Sequence, residues 1–273
     1  MKSFLIQNQY SMKLIGILNL TPDSFSDGGK FNDLENAVIQ TKNLIKQGAN
    51  IVDVGAESTR PDAVAINSEE EWRRVAGILP EIIKVCHKNN VKVSFDSRNA
   101  ENVALALTLG IDIINDVTGF SDQKMVELAV KSGKKIIVMH NLGVPARRDV
   151  IIDKNLDEIA EVKNWARTKI ADLQNSGIKK ENIIFDVGIG FGKDAAQSIN
   201  ILNNIEKFQD LGVEILVGHS RKSFLNQIEF DHNFGEDNRD NRTLFISKQL
   251  IEKGVNYLRI HDILRHRNLL IRP

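Results

Sequence analysis

Eight short apolar runs in this 273-residue chain each end in side chains that can bond or carry charge. Asn19 closes the first, Asp53 and Glu57 surround the end of the second, and Asp96, Asn115 and His140 close the third, fourth and fifth. Asp186 lies late in the sixth, His219, Ser220, Arg221 and Lys222 follow the seventh, and Arg259, His261 and Asp262 close the eighth. A single polar residue at a strand end commonly bonds loop backbone. Its recurrence at every run calls for another reason. Asp96, Asn115 and Asp186 suit the edge of a flat polar heterocycle, because a carboxylate accepts two N–H bonds and an amide both donates and accepts. Lys222, Arg259 and His261 supply cationic or N–H donors for an anion. The segment S-R-K-S (220–223) reads as the start of a helix, whose first N–H groups also favour an anion. Together these residues describe a site for one polar ring and at least one anionic group.

The elements that carry them follow from the pattern of apolar residues. The runs span 14–20, 50–55, 91–96, 111–116, 135–140, 182–188, 214–219 and 256–262, rich in Ile, Val and Leu. Near-continuous apolar character suits strands of a parallel sheet covered on both faces. Between them lie amphipathic stretches. Leu34, Ala37, Val38, Thr41, Leu44 and Ile45 share a helical face, with Gly48 placed to end the helix. Ser68 and Glu71 read as a capping box ahead of Trp72, Val75, Ala76 and Leu79, and Pro80 should kink or restart that helix. Leu156, Ile159, Val162, Ala166, Ile170 and Leu173 form one further helix, and Leu244, Ile246, Leu250 and Ile251 another. Eight strand–helix alternations predict a single-domain α/β parallel (β/α)8 TIM barrel over residues 1–273, with an open doubly wound sheet as the alternative. In a barrel the ends of all eight runs meet on one rim. The irregular stretches 60–67, 143–155 and 229–241 would follow strands 2, 5 and 7 on that face, and residues before Leu14 could pair beneath it.

Composition narrows the function classes. Lys+Arg and Asp+Glu are 36 each, so the formal charge is zero and no surface-wide nucleic-acid footprint is expected. A hydrophobic fraction of 42% and a charged fraction of 26% are those of a folded domain. The one cysteine, Cys86, excludes an intramolecular disulfide and any multi-cysteine metal site. No His/Cys cluster has zinc spacing, and no nucleophile elbow supports a Ser-His-Asp triad. G-I-G-F-G-K (188–193) lacks the P-loop spacing and its Ser or Thr. No apolar run reaches the length of a membrane span or a signal-peptide core, so a cytoplasmic protein with no membrane partner is expected.

Longer motifs narrow the reading to one family. G-I-L-N-L-T-P-D-S-F-S-D-G-G (16–29) and D-V-G-A-E-S-T-R-P (53–61) resemble the first two signatures of the dihydropteroate synthases. S-F-D-S (94–97), I-N-D-V (114–117), D-V-G-I-G-F-G-K (186–193), G-H-S-R-K-S-F (218–224) and L-R-I-H-D (258–262) resemble the rest, in family order. The resemblance implies a (β/α)8 transferase of folate biosynthesis that joins 4-aminobenzoate to 6-hydroxymethyl-7,8-dihydropterin diphosphate, forms 7,8-dihydropteroate and releases diphosphate. By the same resemblance, Asp96, Asn115, Asp186 and Lys222 hold the pterin. Asn19, Arg259 and His261 hold the diphosphate, with Mg2+ near Asn19. Thr59, Arg60 and Pro61 lie on a loop that closes over the aminobenzoate, Ser223 receives its carboxylate and Phe191 packs on its ring. The loop 21–25 would fold over the reacting atoms. Asp96, Lys222, Arg259 and His261 are the implied catalytic residues, a homodimer the implied assembly, and sulfonamides the implied inhibitors.

The chain departs from the family pattern at Asp62, where Gly is general, at Val187 for Pro, at Asn141-Leu142 for Met-Gln, and at Arg242 for Gly. Asp62, beside Arg60, would repel or compete with the anionic head of the aminobenzoate. Two other functions fit a pterin-binding barrel: methyl transfer from methyltetrahydrofolate to a corrinoid protein, and a catalytically silent binding subunit. The first has no use for S-R-K-S or T-P-D-S-F, and every assigned polar group the second would have lost is present.

Overall fold

The structure, a computed structural model, describes residues 12–21, 30–59 and 63–271. Its strands are β1 (Lys13–Asn19), β2 (Ile51–Gly55), β3 (Lys92–Asp96), β4 (Ile113–Asp116), β5 (Lys135–Met139), β6 (Ile183–Asp186), β7 (Glu214–Val217) and β8 (Tyr257–Ile260). Each pairs in parallel with the next, and β1 pairs with β8, so the sheet closes into a barrel in sequence order. The closed ring decides against the open doubly wound alternative.

The helices outside it are α1 (Lys30–Gln47), α2 (Ser68–Val75), α3 (Leu79–Lys88), α4 (Ala100–Leu109), α5 (Gln123–Ser132), α6 (Glu158–Asn175), α7 (Ala195–Asn203), α8 (Arg239–Glu252) and α9 (Ile263–Ile271). They cover the outward strand side chains, such as Val52, Val54, Val93, Phe95, Phe185 and Val217, in one continuous core. Pro80 stands in the first turn of α3, where its missing N–H is harmless, so the apolar stretch is split into two helices.

Two local expectations are corrected. Ser68 is not the cap of α2: the Asn67 side chain accepts from the Glu70 backbone N–H. Glu71 instead turns inward, away from the helix end. S-R-K-S does not open an α-helix: Ser223–Gln227 is a single 3-10 stretch, and α8 begins only at Arg239. Leu156 is exposed and precedes α6, whose cap is Asp157. The strand pair expected before Leu14 lies outside the described residues.

Inside the barrel, Ile15, Ile51, Ile113, Ile137, Ile184, Leu216 and Tyr257 form a separate buried cluster. Strand side chains alternate, so the residue two positions on faces the same lumen, one layer nearer the C-terminal mouth. That step leads from Ile51 to Asp53, Ile113 to Asn115, Ile184 to Asp186 and Tyr257 to Arg259. An apolar plug thus floors a polar layer.

Candidate active site

Arg259 is the centre of the polar layer. Its Nε donates to Asp53 Oδ2 at 2.5 Å and its Nη2 to Asp96 Oδ2 at 2.7 Å. Asn115 Nδ2 donates to both Asp53 oxygens, at 3.3 and 3.2 Å. Burial alone would lower the guanidinium's proton affinity, but Asp53 and Asp96 beside it raise it above the ordinary value. Burial pushes the Asp96 carboxyl up to about 8; Arg259 opposes this and Asp53 adds to it. Asp186 Oδ2 and Arg259 Cβ both lie against Gly218, 3.6 and 3.8 Å from where a Cβ would stand.

Asp186 is 7% exposed at the end of β6. Its Oδ1 accepts from the Gly188 backbone N–H at 2.8 Å. Burial raises its carboxyl above the usual range, against the pull of that N–H and of Lys222, Arg259 and Lys193. The turn after β6 has Gly188, Gly190 and Gly192 at φ 65°, 79° and 71°. At Gly188 a Cβ would lie 1.9 Å from the His140 carbonyl oxygen, so the chain approaches β5 more closely than a side chain permits. Lys222 donates to the Ile189 carbonyl and its ammonium sits 4.9 Å from the centre of the Phe191 ring. Beneath the turn, Lys193 donates to the Gly188 and Phe191 carbonyls, each at 3.0 Å, and lies 2.7 Å from His140 Nδ1. Burial brings the Lys193 ammonium down to about 7 and the His140 ring down to about 2, so His140 is neutral and accepts.

Just beyond β7 and β8, Ser220 Oγ and His261 Nδ1 are 2.9 Å apart, which fixes the imidazole plane. Asn19, half-buried at the end of β1, is paired in register with Gly55. Among the described residues no group of three or more His, Cys, Asp and Glu could hold a metal. Mg2+ keeps several waters and takes few protein ligands beside phosphate, and the Asn19 amide oxygen at the end of β1 would be the candidate donor for it.

The sequence-assigned residues therefore divide. Asp96, Asn115 and Arg259 are joined through Asp53, while Asp186 and Lys222 are held by the turn after β6, with the Phe191 ring against the Lys222 ammonium. His261 follows β8 directly beyond Arg259, and Asn19 stands at the end of β1. Thr59 is half-buried on the loop after β2. Arg60, Pro61 and Asp62 lie outside the described residues, as does the loop 21–25 beyond Thr21. Ser223 is exposed and opens only the short 3-10 stretch, so no long helix supplies an anion site there. His219 leaves the rim altogether: it is buried against the Thr243 carbonyl and Ser247 Oγ, and burial lowers it to about 3. Asp53, Lys193 and His140 were not among the assigned residues. Asp53 was detectable as a charge inside an otherwise apolar strand, I-V-D-V-G (51–55), at an inward position.

The Pterin binding enzyme family matches residues 15–261. A dihydropteroate synthase of Clostridium beijerinckii is 39% identical over 255 residues, covering 93% of this chain and 90% of that protein. A probable bifunctional folylpolyglutamate synthase/dihydropteroate synthase of Haloferax volcanii is 38% identical over 92% of this chain, which spans only 29% of that longer protein. The crystal structure of Anaplasma phagocytophilum dihydropteroate synthase with bound 6-hydroxymethylpterin-monophosphate superposes with a TM-score of 0.85 at 37% identity, covering 96% of this chain and 97% of that one. The chain belongs to the pterin-binding enzyme family, among its dihydropteroate synthases.

Proposed function

We propose that this chain transfers the pterin-methyl group of 6-hydroxymethyl-7,8-dihydropterin diphosphate to the amine of 4-aminobenzoate, giving 7,8-dihydropteroate and diphosphate. The observation that carries the reading is the polar layer itself, in which three carboxylates and one amide surround a single guanidinium above an apolar floor. Such a layer matches the amino-pyrimidinone edge of a pterin, whose N–H donors and carbonyl find partners in Asp186, Asn115 and Lys222. The carboxyl-lined layer is the part of the site that would stabilise positive charge as it develops on the departing methylene carbon.

The bond broken is the CH2–O bond to diphosphate, and the bond formed is N–C to the aromatic amine, which gives up its proton. The amine is neutral near pH 7, so the protein mainly orients it and stabilises the leaving anion. Arg259 and His261 would hold that anion. The Asn19 amide would hold Mg2+, which when bound to the diphosphate neutralises its charge. Thr59, with Arg60 and Pro61, would close over the aminobenzoate, Ser223 would meet its carboxylate and Phe191 its ring, where sulfonamides would compete. A cytoplasmic homodimer belongs to the same reading and rests on the family resemblance; no helix among the described residues is long and apolar enough to cross a membrane.

Titration of the pterin substrate into Asp186→Ala by calorimetry tests the reading. Loss of a charge-assisted bond should weaken binding by about 1.5–3 kcal/mol. A folded variant with wild-type pterin affinity would remove Asp186 from the site.

A further inference from the structure

Lys193 is a buried ammonium that the reaction does not use. It lies 6% exposed, behind the layer that faces substrate. An ammonium has three N–H donors, and three acceptors surround it: the Gly188 carbonyl, the Phe191 carbonyl and His140 Nδ1. The His140 ring is itself held, edge-on to Trp165 at 5.1 Å between centroids. Charge buried with its full complement of partners is costly to place and strongly destabilising to disturb.

What Lys193 grips is the stretch that presents the binding groups. From the turn it anchors, the Gly188 N–H fixes Asp186 Oδ1, the Ile189 carbonyl fixes the Lys222 ammonium, and the Phe191 ring lies beneath that same ammonium. All three contacts come from residues 188–191, the stretch whose first and last carbonyls Lys193 holds. The turn has three left-handed glycines, and glycine is the residue with the most backbone freedom to lose on ordering. A segment so composed needs an external tether to keep one geometry.

We propose that Lys193, with His140 as its acceptor, is a positioning residue that locks the turn 188–192 and thereby sets Asp186 and Lys222 for the pterin ring. The proposal rests on the reading of the site as a pterin site. Lys193 touches no reacting atom. Its removal acts on ring affinity, and the aminobenzoate is affected only through Phe191.

The test uses Lys193→Met, which keeps length and removes the donors, and His140→Phe, which keeps the ring on Trp165 and removes the acceptor. Pterin diphosphate affinity should fall roughly 10- to 100-fold in Lys193→Met, the range of a lost bond to a charged group. It should fall less, but in the same direction, in His140→Phe. The KM for aminobenzoate at saturating pterin should change by less than about threefold in both, because Phe191 is the turn's one residue assigned to the aminobenzoate and its side chain makes neither lost bond. Hydrogen exchange without ligand should accelerate at Gly188–Gly192 in both variants and stay unchanged at Asn115. Unchanged pterin affinity, or unchanged exchange in the turn, overturns the proposal. If Lys193→Met does not fold, His140→Phe decides by the same readouts. Wild-type protein that fails to bind pterin, with exchange in the turn still responding to the variants, would overturn the substrate reading and leave the tether standing.

Discussion

Asp53 shows how one fully buried carboxylate can hold two site residues at once. It holds Arg259 by Nε and Asn115 by its amide, so two groups assigned to different substrate parts share one anchor. His261 is placed differently, with Ser220 Oγ 2.9 Å from its Nδ1. Replacing His261 with Ala should therefore weaken diphosphate binding by about 1–3 kcal/mol while sparing a pterin lacking phosphate. Parallel calorimetry with the two ligands separates this from general disruption, which would weaken both equally. Asp96 makes a second prediction. Its carboxyl titrates at about 8 when folded, against 3.8 for the ordinary group, so it binds its proton more tightly in the native state. Its contribution to stability is complete below the unfolded value and is lost as pH rises towards the folded one. Thermal unfolding of Asp96→Asn, relative to wild type, should thus improve steadily between about pH 4 and 8. A difference that does not vary with pH would contradict the assignment. The sequence disclosed these polar residues because each interrupts an apolar strand at its end. It marked His140 as a strand-end residue but not its pairing with Lys193, which lies across 53 positions of chain, nor the backbone carbonyls that Lys193 holds.

At the scale of elements, the barrel was legible because every strand is a short Ile/Val/Leu run and every helix an amphipathic stretch. Helix ends were less so. Glu71 fits a capping pattern by spacing, yet tertiary partners outcompete the local one. It is fully buried, and its Oε2 accepts from Ser97 Oγ at 2.8 Å, Asn99 Nδ2 at 2.8 Å and Asn102 Nδ2 at 2.5 Å, tying α2 to the β3–α4 connection. Burial raises its carboxyl above the ordinary value despite those donors. Nearby, Glu57 accepts from Arg98 at 2.7 and 2.9 Å and from the Ile66 N–H at 3.1 Å, closing the neck of the loop that carries Thr59. Glu71→Ala removes the acceptor shared by buried Ser97, half-buried Asn99 and buried Asn102, of which Asn102 keeps the Ser68 carbonyl. It should cost about 1–3 kcal/mol in urea unfolding, with the midpoint lowered and the slope retained. A variant as stable as wild type would mean that α2 docks through its apolar face alone. The S-R-K-S segment failed as a helix start for a similar reason: Arg221, at φ 60°, is bound to Asp240, and Arg242 donates to the Leu225 and Ile228 carbonyls. Arg242 stands where the family pattern has Gly, and its side chain organises a segment that a glycine would leave untied.

Across the whole molecule, the chain spends eight strands on carrying polar side chains to one mouth and an apolar plug on separating that mouth from the barrel's lower end. Zero net charge leaves the local field of the mouth as the feature that selects a ligand. That field combines a carboxylate-rich layer for a ring with cationic groups for an anion, which is what transfer of a pterin-methyl group from diphosphate requires. The most direct measurement is diphosphate release on mixing 6-hydroxymethyl-7,8-dihydropterin diphosphate with 4-aminobenzoate, followed together with dihydropteroate by chromatography. The account predicts the two products in equal amounts, formation that stops when EDTA removes Mg2+, and no release when either substrate is omitted. Tight pterin binding with no diphosphate released in the presence of both substrates and Mg2+ would contradict it.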